Sequence, residues 1–247
     1  HFTDNPEEYS KYWAIRSGIF PSVGGTRPLG TTVIIEDIAF HIEDLPRATV
    51  DLANMLVKHG YEDSCIYGHA LEGNYHFIIA QRFDTEAEVA KYKNLMTEIE
   101  HLVVDKYDGS LKAEHGTGKN MAPFVKTEWG EKAYSIMKEV KALFDPKNIL
   151  NPGVIFNDDP DCFVKDFKPM PITNDKVNKC IECGFCEVNC VTCGLTLSSR
   201  QRIIIQRELS RLKDTHEDDE RLARLEKDFQ YYGNETCAGD GDRKSVV

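Results

Sequence analysis

Ser64-Cys65-Ile66-Tyr67, then Gly68-His69-Ala70-Leu71-Glu72-Gly73-Asn74, then Tyr75-His76-Phe77-Ile78-Ile79-Ala80-Gln81-Arg82 is the stretch that decides the fold. Two runs rich in β-branched and aromatic residues flank a Glu72-Gly73-Asn74 turn, which predicts a short strand over 64–67 and a longer one over 75–82. Upstream, Thr32 to Ile38 is β-branched and predicts another strand. Between them, Leu45-Pro46 opens a helix whose apolar stripe includes Leu52 and Leu56 and which Gly60 closes. Downstream, Asp84 or Thr85 caps a long helix in which Val89, Tyr92, Met96, Ile99 and Val103 recur at helical spacing. Ser110 to Ala113 predicts a last short strand. Strand, helix, strand, strand, helix, strand is the split βαβ order of ferredoxin-like folds. The expectation is an α+β domain: a ferredoxin-like antiparallel sheet with its helices on one face.

Outside this block, residues 7–16 read as a helix and Pro21 to Gly30 as a Gly/Pro-rich loop. A helix over about Thr127 to Phe144 ends at Asp145-Pro146. The irregular stretch from Asn151 to Pro171, with Pro152, Pro160, Pro169 and Pro171, reads as a linker. Residues 200–230 are highly charged, with Ile203 to Ile205, Leu209, Leu212, Leu222 and Leu225 at near-helical spacing; they predict helices with solvated outer faces. The expected division is a domain over 1–157, a linker over 158–175 and a mainly helical cysteine-bearing module over 176–247.

The 247 residues carry 41 acidic and 30 basic side chains, a net charge of −11. No global positive field attracts phosphate, so nucleic acid is not an expected partner. No run is long and apolar enough to span a bilayer, and no signal-peptide pattern is present. Six of the eight cysteines lie beyond residue 170, against a secreted disulfide scaffold and for a metal module in a reducing compartment. A cytoplasmic location follows, with peripheral attachment at the inner face of a membrane compatible with it. The chain opens without methionine at His1-Phe2-Thr3 and stops soon after Cys237, and it reads as a fragment of a longer protein.

Cys180-Ile-Glu-Cys183-Gly-Phe-Cys186-Glu-Val-Asn-Cys190 has the C-x2-C-x2-C-x3-C spacing with which bacterial ferredoxins hold iron–sulfur clusters. Three thiolates two residues apart wrap one cubane; the fourth, after a wider gap, turns toward another. Zinc sites more often take cysteine pairs separated by a long loop, and a disulfide framework is the plainer alternative.

His69 and His76 stand seven residues apart across the Gly73-Asn74 turn, and Glu114-His115-Gly116-Thr117-Gly118 follows the last expected strand. Two imidazoles and a carboxylate with an open position suit a catalytic divalent ion. His115 beside it is placed for proton transfer, and Gly116 and Gly118 permit close approach of a cofactor. Taken alone, the two histidines are better read as ordinary polar residues on a loop and strand end.

Gly68-His69-Ala70-Leu71-Glu72-Gly73-Asn74-Tyr75-His76, Glu114-His115-Gly116-Thr117-Gly118 and Phe144-Asp145-Pro146-Lys147-Asn148-Ile149-Leu150-Asn151-Pro152-Gly153 resemble the C-terminal half of FAD-linked oxidases. That family includes D-lactate dehydrogenase, D-2-hydroxyglutarate dehydrogenase and the glycolate oxidase flavoprotein subunit. Members with a C-terminal ferredoxin-like extension are the most similar, because the cysteine run follows the Asn-Pro-Gly motif. The resemblance implies that His69, His76 and Glu114 ligate a divalent metal, usually zinc. It implies that Glu114, His115, Gly116 and Asn151 border the FAD and that His115 takes the proton of the substrate hydroxyl. Trp13-Ala-Ile-Arg16 resembles a segment whose arginine binds the substrate carboxylate, a role that suits a guanidinium fork.

The implied activity is oxidation of a small D-2-hydroxy acid, of the D-lactate or glycolate type, to a 2-oxo acid. Electrons would pass from FAD through [4Fe–4S] clusters to a quinone or redox-protein acceptor. In this reading Cys180, Cys183 and Cys186 serve one cluster, and Cys190 and Cys237 another. Most of the FAD site and the remaining cysteines would lie outside this chain, leaving the fragment inactive alone. Its tail from about Lys179 would then be disordered, disulfide-linked or holding adventitious zinc.

The sequence departs from the pattern at Leu71-Glu72, where the family carries Asp, and at Val191, where it carries Pro after the fourth cysteine; Cys193 is extra. Ile34, Ile35 and Ile78 favour a small or apolar monocarboxylate over a diacid. A second class of function is an electron-transfer or subunit-docking module without its own dehydrogenase activity, and a third is a zinc-stapled structural module.

Overall fold

The computed structural model describes residues 3–168 and 170–239. Linker residue Pro169 and the end of the cysteine-bearing module, 240–247, lie outside the described residues, as do His1 and Phe2. In chain order the main elements are α1 (Pro6–Gly25), β1 (Thr32–Ala39), α2 (Leu45–Lys58), β2 (Cys65–His69), β3 (Asn74–Gln81), α3 (Glu86–Glu100), α4 (Val125–Phe144), the single turn α5 (Asp175–Asn178), α6 (Ser199–Thr215) and α7 (Asp219–Phe229). They divide into two compact units, residues 34–168 and residues 1–33 with 169–247.

In the first unit the sheet is antiparallel, in the order β1-β3-β2. The β2–β3 hairpin pairs Cys65 with Ile78, Tyr67 with His76 and His69 with Asn74. Side chains alternate across a strand, and here the alternation sorts apolar from polar. Ile38, Phe77 and Ile79 join the core with Leu52 and Leu56 of α2 and Leu95, Met96 and Ile99 of α3. The 3–4 spacing of Leu45, Ala48, Leu52 and Leu56 turns one stripe of α2 inward. Thr85 starts α3 by accepting a hydrogen bond from the Glu88 N–H at 3.2 Å. The helices thus cover one sheet face, as the periodicity implies.

Two expectations are corrected. The strand over Ser110–Ala113 shrinks to one antiparallel bridge between Ser110 and Ala39. The backbone beyond it is tied to side chains instead: the Leu111 N–H donates to Glu128 at 3.3 Å, and Ser110 Oγ donates to the same carboxylate at 2.7 Å. The Pro21–Gly30 loop begins late, because α1 runs through Pro21 to Gly25. Pro21 keeps a helical φ but has no N–H to give the Ser17 carbonyl, and Thr26 ends the helix by donating its N–H to the Val23 carbonyl at 3.3 Å.

In the second unit, Ser198 and Gln201 form a capping box that starts α6. Leu209 and Leu212 of α6 and Phe229 of α7 are buried. So are Arg202 and Arg207, which the charge pattern places on a solvated face. The tail from Lys179 is folded as far as Gly239, and all eight cysteines are free thiols. The disordered and disulfide-linked tails expected of the fragment are therefore not what the chain shows; buried arginines, described below, hold its loops. Among the described residues no helix is long and apolar enough to cross a membrane.

Candidate functional site

The sheet face opposite α2 and α3 carries the histidines. Tyr67 and His69 alternate to that face of β2, and His76 stands opposite Tyr67 on β3. The His76 ring lies 5.3 Å from Tyr67 and 5.6 Å from His69, centroid to centroid. Glu114, from the loop after Ser110, reaches over both. Its Oε1 is 3.1 Å from His69 Nε2 and 2.9 Å from His76 Nε2. His115 stacks on His76, with ring centroids 4.7 Å apart and planes within 7°. The structure thus brings together His69, His76, Glu114 and His115, from three separate segments.

Under them lies a residue the sequence reading passed over. Asp37 of β1 is fully buried. One oxygen accepts from Asn74 Nδ2 at 2.5 Å; the other accepts the backbone N–H groups of Glu114 and His115 at 2.7 and 2.8 Å. Burial alone would raise its carboxyl pKa, but the donated hydrogen bonds of His115, Glu114 and Asn74 hold it below the usual carboxylate range. His76 Nδ1 faces Asp37 Oδ1 at 3.4 Å and has no hydrogen-bond partner. Burial lowers the pKa of His76 and favours the neutral ring, with Asp37 pulling the other way. The available signal was parity: Glu36 and Asp37 are adjacent acids in a strand, so one must face each side. Glu36 faces the helices, where Lys112 and Asn120 donate to it at 2.8 and 2.7 Å.

Neutral imidazole and carboxylate are the donor set of a catalytic zinc, and ligand atoms of Asp37, His76, Glu114 and His115 also lie within 4.8 Å of one another. Glu114 Oε1 between two ring nitrogens is a contact that a shared ion would replace, so the residues fit a divalent metal. Gly116, at φ 73°, has open space where a Cβ would stand.

Asn151 lies in a different loop, also left-handed at φ 45°. That loop is tied by Asp145, which accepts the N–H groups of Ile149 and Leu150, both at 2.9 Å, and pairs with Lys141 at 2.6 Å. Hydrogen bonding to Lys141 first, then to the two backbone amides, brings the Asp145 pKa down to about 2. The Ile155 N–H donates to the Gly118 carbonyl at 3.0 Å, joining this loop to the one that carries Glu114. Arg16 belongs to the other unit, on α1, with its guanidinium 5.4 Å from the centre of the Trp13 ring.

The cysteine run is a loop held by cations. Arg207 donates to the carbonyls of Val177 at 3.0 Å and Cys180 at 2.6 Å and pairs with Glu182. Arg27 donates to the carbonyls of Asn178, Lys179 and Cys180 at 2.9–3.2 Å. The Glu182 N–H points to Cys180 Sγ at 3.3 Å. Burial pushes the Cys186 thiol up, and the neighbouring Cys180 and Cys183 push it further. Cys190 belongs to a different setting. Burial would raise it, but hydrogen bonds from Thr192 and Ser199 bring it down to about 7. Arg202 donates to Thr192 Oγ1 at 3.0 Å and Thr236 Oγ1 at 3.1 Å, linking the Cys190 loop to the residue before Cys237. Cys180 and Cys183 thus act on Cys186, whereas Cys190 is held in its own hydrogen-bonded loop.

The family model of FAD-linked oxidases, C-terminal domain, matches residues 1–155, and the chain belongs to that family. Among its curated relatives, the glycolate oxidase subunit GlcD of Bacillus subtilis is 32% identical over 137 residues, which is 53% of this chain and 27% of that protein. A probable mitochondrial D-lactate dehydrogenase of Danio rerio is 27% identical over 154 residues, 62% of this chain and 30% of its own length. The D-2-hydroxyglutarate dehydrogenase of Stutzerimonas stutzeri is 27% identical over 158 residues, 62% of this chain and 32% of its own. The chain therefore spans less than a third of each of these relatives.

Proposed function

We propose that this chain is the substrate-side part of an FAD-dependent D-2-hydroxyacid dehydrogenase, of the D-lactate or glycolate type, with an iron–sulfur electron outlet. The observation that carries the reading is Glu114 Oε1 poised within 3.1 Å of the Nε2 atoms of both His69 and His76. The names of the relatives support the substrate class. His69, His76 and Glu114 would hold a divalent ion, probed as zinc. When bound, the ion supplies polarisation of the substrate hydroxyl, FAD supplies the hydride acceptor, and the clusters supply one-electron transfer onward.

The chain's own residues do the rest. His115, exposed and stacked on His76, accepts the hydroxyl proton on its imidazole. The fully buried Asp37 holds the backbone of Glu114 and His115 so that both side chains face the histidine pair. Gly116, with open space where a Cβ would stand, and Asn151 would border the flavin. Arg16 is assigned the substrate carboxylate on its Trp13-x-x-Arg16 motif and the chemistry of guanidinium alone. In the cysteine-rich unit, Cys180, Cys183 and Cys186 take one [4Fe–4S] cluster, and Cys190 and Cys237 contribute to another. A quinone or redox protein is the electron acceptor in this reading, at a cytoplasmic or membrane-peripheral location.

The test is zinc binding by the 247-residue chain, with His76→Ala as the comparison. One tightly held zinc in the parent and none in the variant is expected. A parent that holds zinc equally well after His69→Ala and His76→Ala overturns the ligand assignment. Iron and sulfide analysis after anaerobic reconstitution tests the cluster reading separately; zinc without iron at the cysteines favours the structural-module alternative.

A further inference from the structure

Glu36 stands in the same row of β1 as Ile34 and Ile38, which pack into the core with α2 and α3. Strand parity turns it to that face, and it is only 3% exposed. A carboxylate in an apolar row is costly unless it is paired and hydrogen-bonded. Two of its partners come from a loop. Lys112 Nζ donates to Oε2 at 2.8 Å, and Asn120 Nδ2 donates to Oε1 at 2.7 Å. Tyr92 of α3 donates its hydroxyl to Oε1 at 3.4 Å.

Lys112 and Asn120 are the two ends of the segment that carries Glu114, His115, Gly116 and Gly118. Between them the backbone forms neither helix nor strand. Leu111 and Met121, just outside, are buried in the core. The chain thus leaves the core after Leu111, crosses to the opposite sheet face where Asp37 accepts the Glu114 and His115 N–H groups, and returns at Met121. β1 lies at the edge of the sheet, which gives the segment its way round from one face to the other. Apolar burial of Leu111 and Met121 anchors the ends but is non-directional, so it does not set their register. One carboxylate that accepts from both ends, each on its own oxygen, does. Stability alone is a poor reason for the pair, because a buried ion pair is often no better than apolar residues of the same volume.

We propose that Glu36 is the positioning residue of the site loop: it pins both ends of residues 112–120 and so holds Glu114 over the histidine pair. It acts through the loop and touches none of the proposed ligands. Its consequence for metal binding rests on the reading above; its hold on the loop does not.

The test is amide hydrogen exchange in the full chain labelled with 15N, without metal, with Glu114 and His115 measured against the amides of β3 in the same molecule. The parent is expected to protect both loop amides. Glu36→Gln leaves one acceptor for two loop donors and an unpaired Lys112. It should speed exchange at 114 and 115, relative to β3, by about tenfold or more, the scale of one hydrogen bond to a charged group. Asn120→Ala, which cuts the far end at a half-buried position, should act in the same direction. Zinc added to Glu36→Gln should slow the two amides again, because the ion binds only the closed loop. Parent-like exchange at 114 and 115 relative to β3, in either variant, overturns the proposal. So does an equal acceleration of loop and β3, which would make Glu36 a general support of the fold. If Glu36→Gln does not fold, Asn120→Ala decides alone. Loop opening in the variants that zinc fails to reverse sinks the metal reading and sustains the positioning role.

Discussion

One region of this molecule hides an anion, and the other hides cations. Around the histidine pair the fully buried charge is Asp37, and it collects backbone N–H groups. Around the cysteine run the buried charges are Arg202 and Arg207, and they collect backbone carbonyls. Both loops have irregular backbones, so neither can satisfy its polar groups by secondary structure, and an ionised side chain does so instead. The sign differs with what each region is proposed to hold. A buried carboxylate lies beside a set of ligands for a cation. Buried guanidiniums brace the loops that carry the cysteines, whose thiols become anionic when they ligate. The difference suggests that each loop is stabilised by a charge that also favours its ligand.

The largest effect that could break this comparison is on turnover. In the flavin-loaded intact protein, His115→Ala is expected to lower kcat by about 10²–10⁴-fold, as for loss of a general base. Zinc and iron contents should stay at parent levels. A drop in either metal alongside the rate would make His115 structural.

Next is Arg207→Ala, which removes the buried cation paired with Glu182 and the guanidinium donor to the Val177 carbonyl. Removing one member of a buried ion pair costs about 3–5 kcal/mol. Denaturant unfolding should show that loss in the cysteine-rich unit, and iron retention should fall while zinc binding is unchanged. Arg207→Lys, which keeps the charge without the fork, should recover part of it. An equal loss of zinc and iron would show that the regions are not independently organised.

Leu52→Ala supplies the reverse test. Leu52 is fully buried under the sheet, and the cavity should cost about 2–5 kcal/mol. Unfolding of the sheet unit should move to lower denaturant, with iron retention unaffected.

The smallest effect is local and depends on pH. Asp145 has a folded pKa of about 2, below the roughly 3.9 of an unfolded aspartate. Its folded-state advantage is therefore complete above about pH 4 and is lost as pH falls toward 2. The Ile149 and Leu150 amides, which Asp145 accepts, should be protected from hydrogen exchange at pH 5 and lose protection across that window. Protection unchanged down to pH 2 would show that the backbone alone holds this loop.

Three of the strands, the hairpin and the two helices of the sheet unit were legible, because alternation and 3–4 spacing are local signals. His69, His76, Glu114 and His115 were legible as candidates because they sit in short segments whose chemistry stands out. Asp37 was not: within Ile34-Ile35-Glu36-Asp37-Ile38 nothing local says which acid meets a histidine 39 positions later. Arg202 and Arg207 were missed for the same reason. On a helix crowded with Arg, Gln and Glu they look solvated, and only the carbonyls of Val177, Cys180 and Gly233 reveal them. The strand expected at Ser110–Ala113 failed because Glu128, on a distant helix, takes up its backbone and hydroxyl. Long-range hydrogen bonding accounts for each of these differences.

The turn between the two histidines bears on how mutational tolerance should be interpreted. Gly73 is left-handed at φ 67°, and a Cβ there would overlap the Phe40 carbonyl oxygen; one on Gly68 would overlap the Asn74 carbonyl oxygen. Neither glycine offers a side chain to a ligand. A saturation library selected for turnover should nonetheless purge substitutions at 68 and 73 as severely as at 69 and 76, and a library scored only for soluble expression should purge the glycines while sparing the histidines. Comparing the two selections would separate residues that shape the turn from residues that do chemistry on it, a distinction that intolerance to substitution alone does not make.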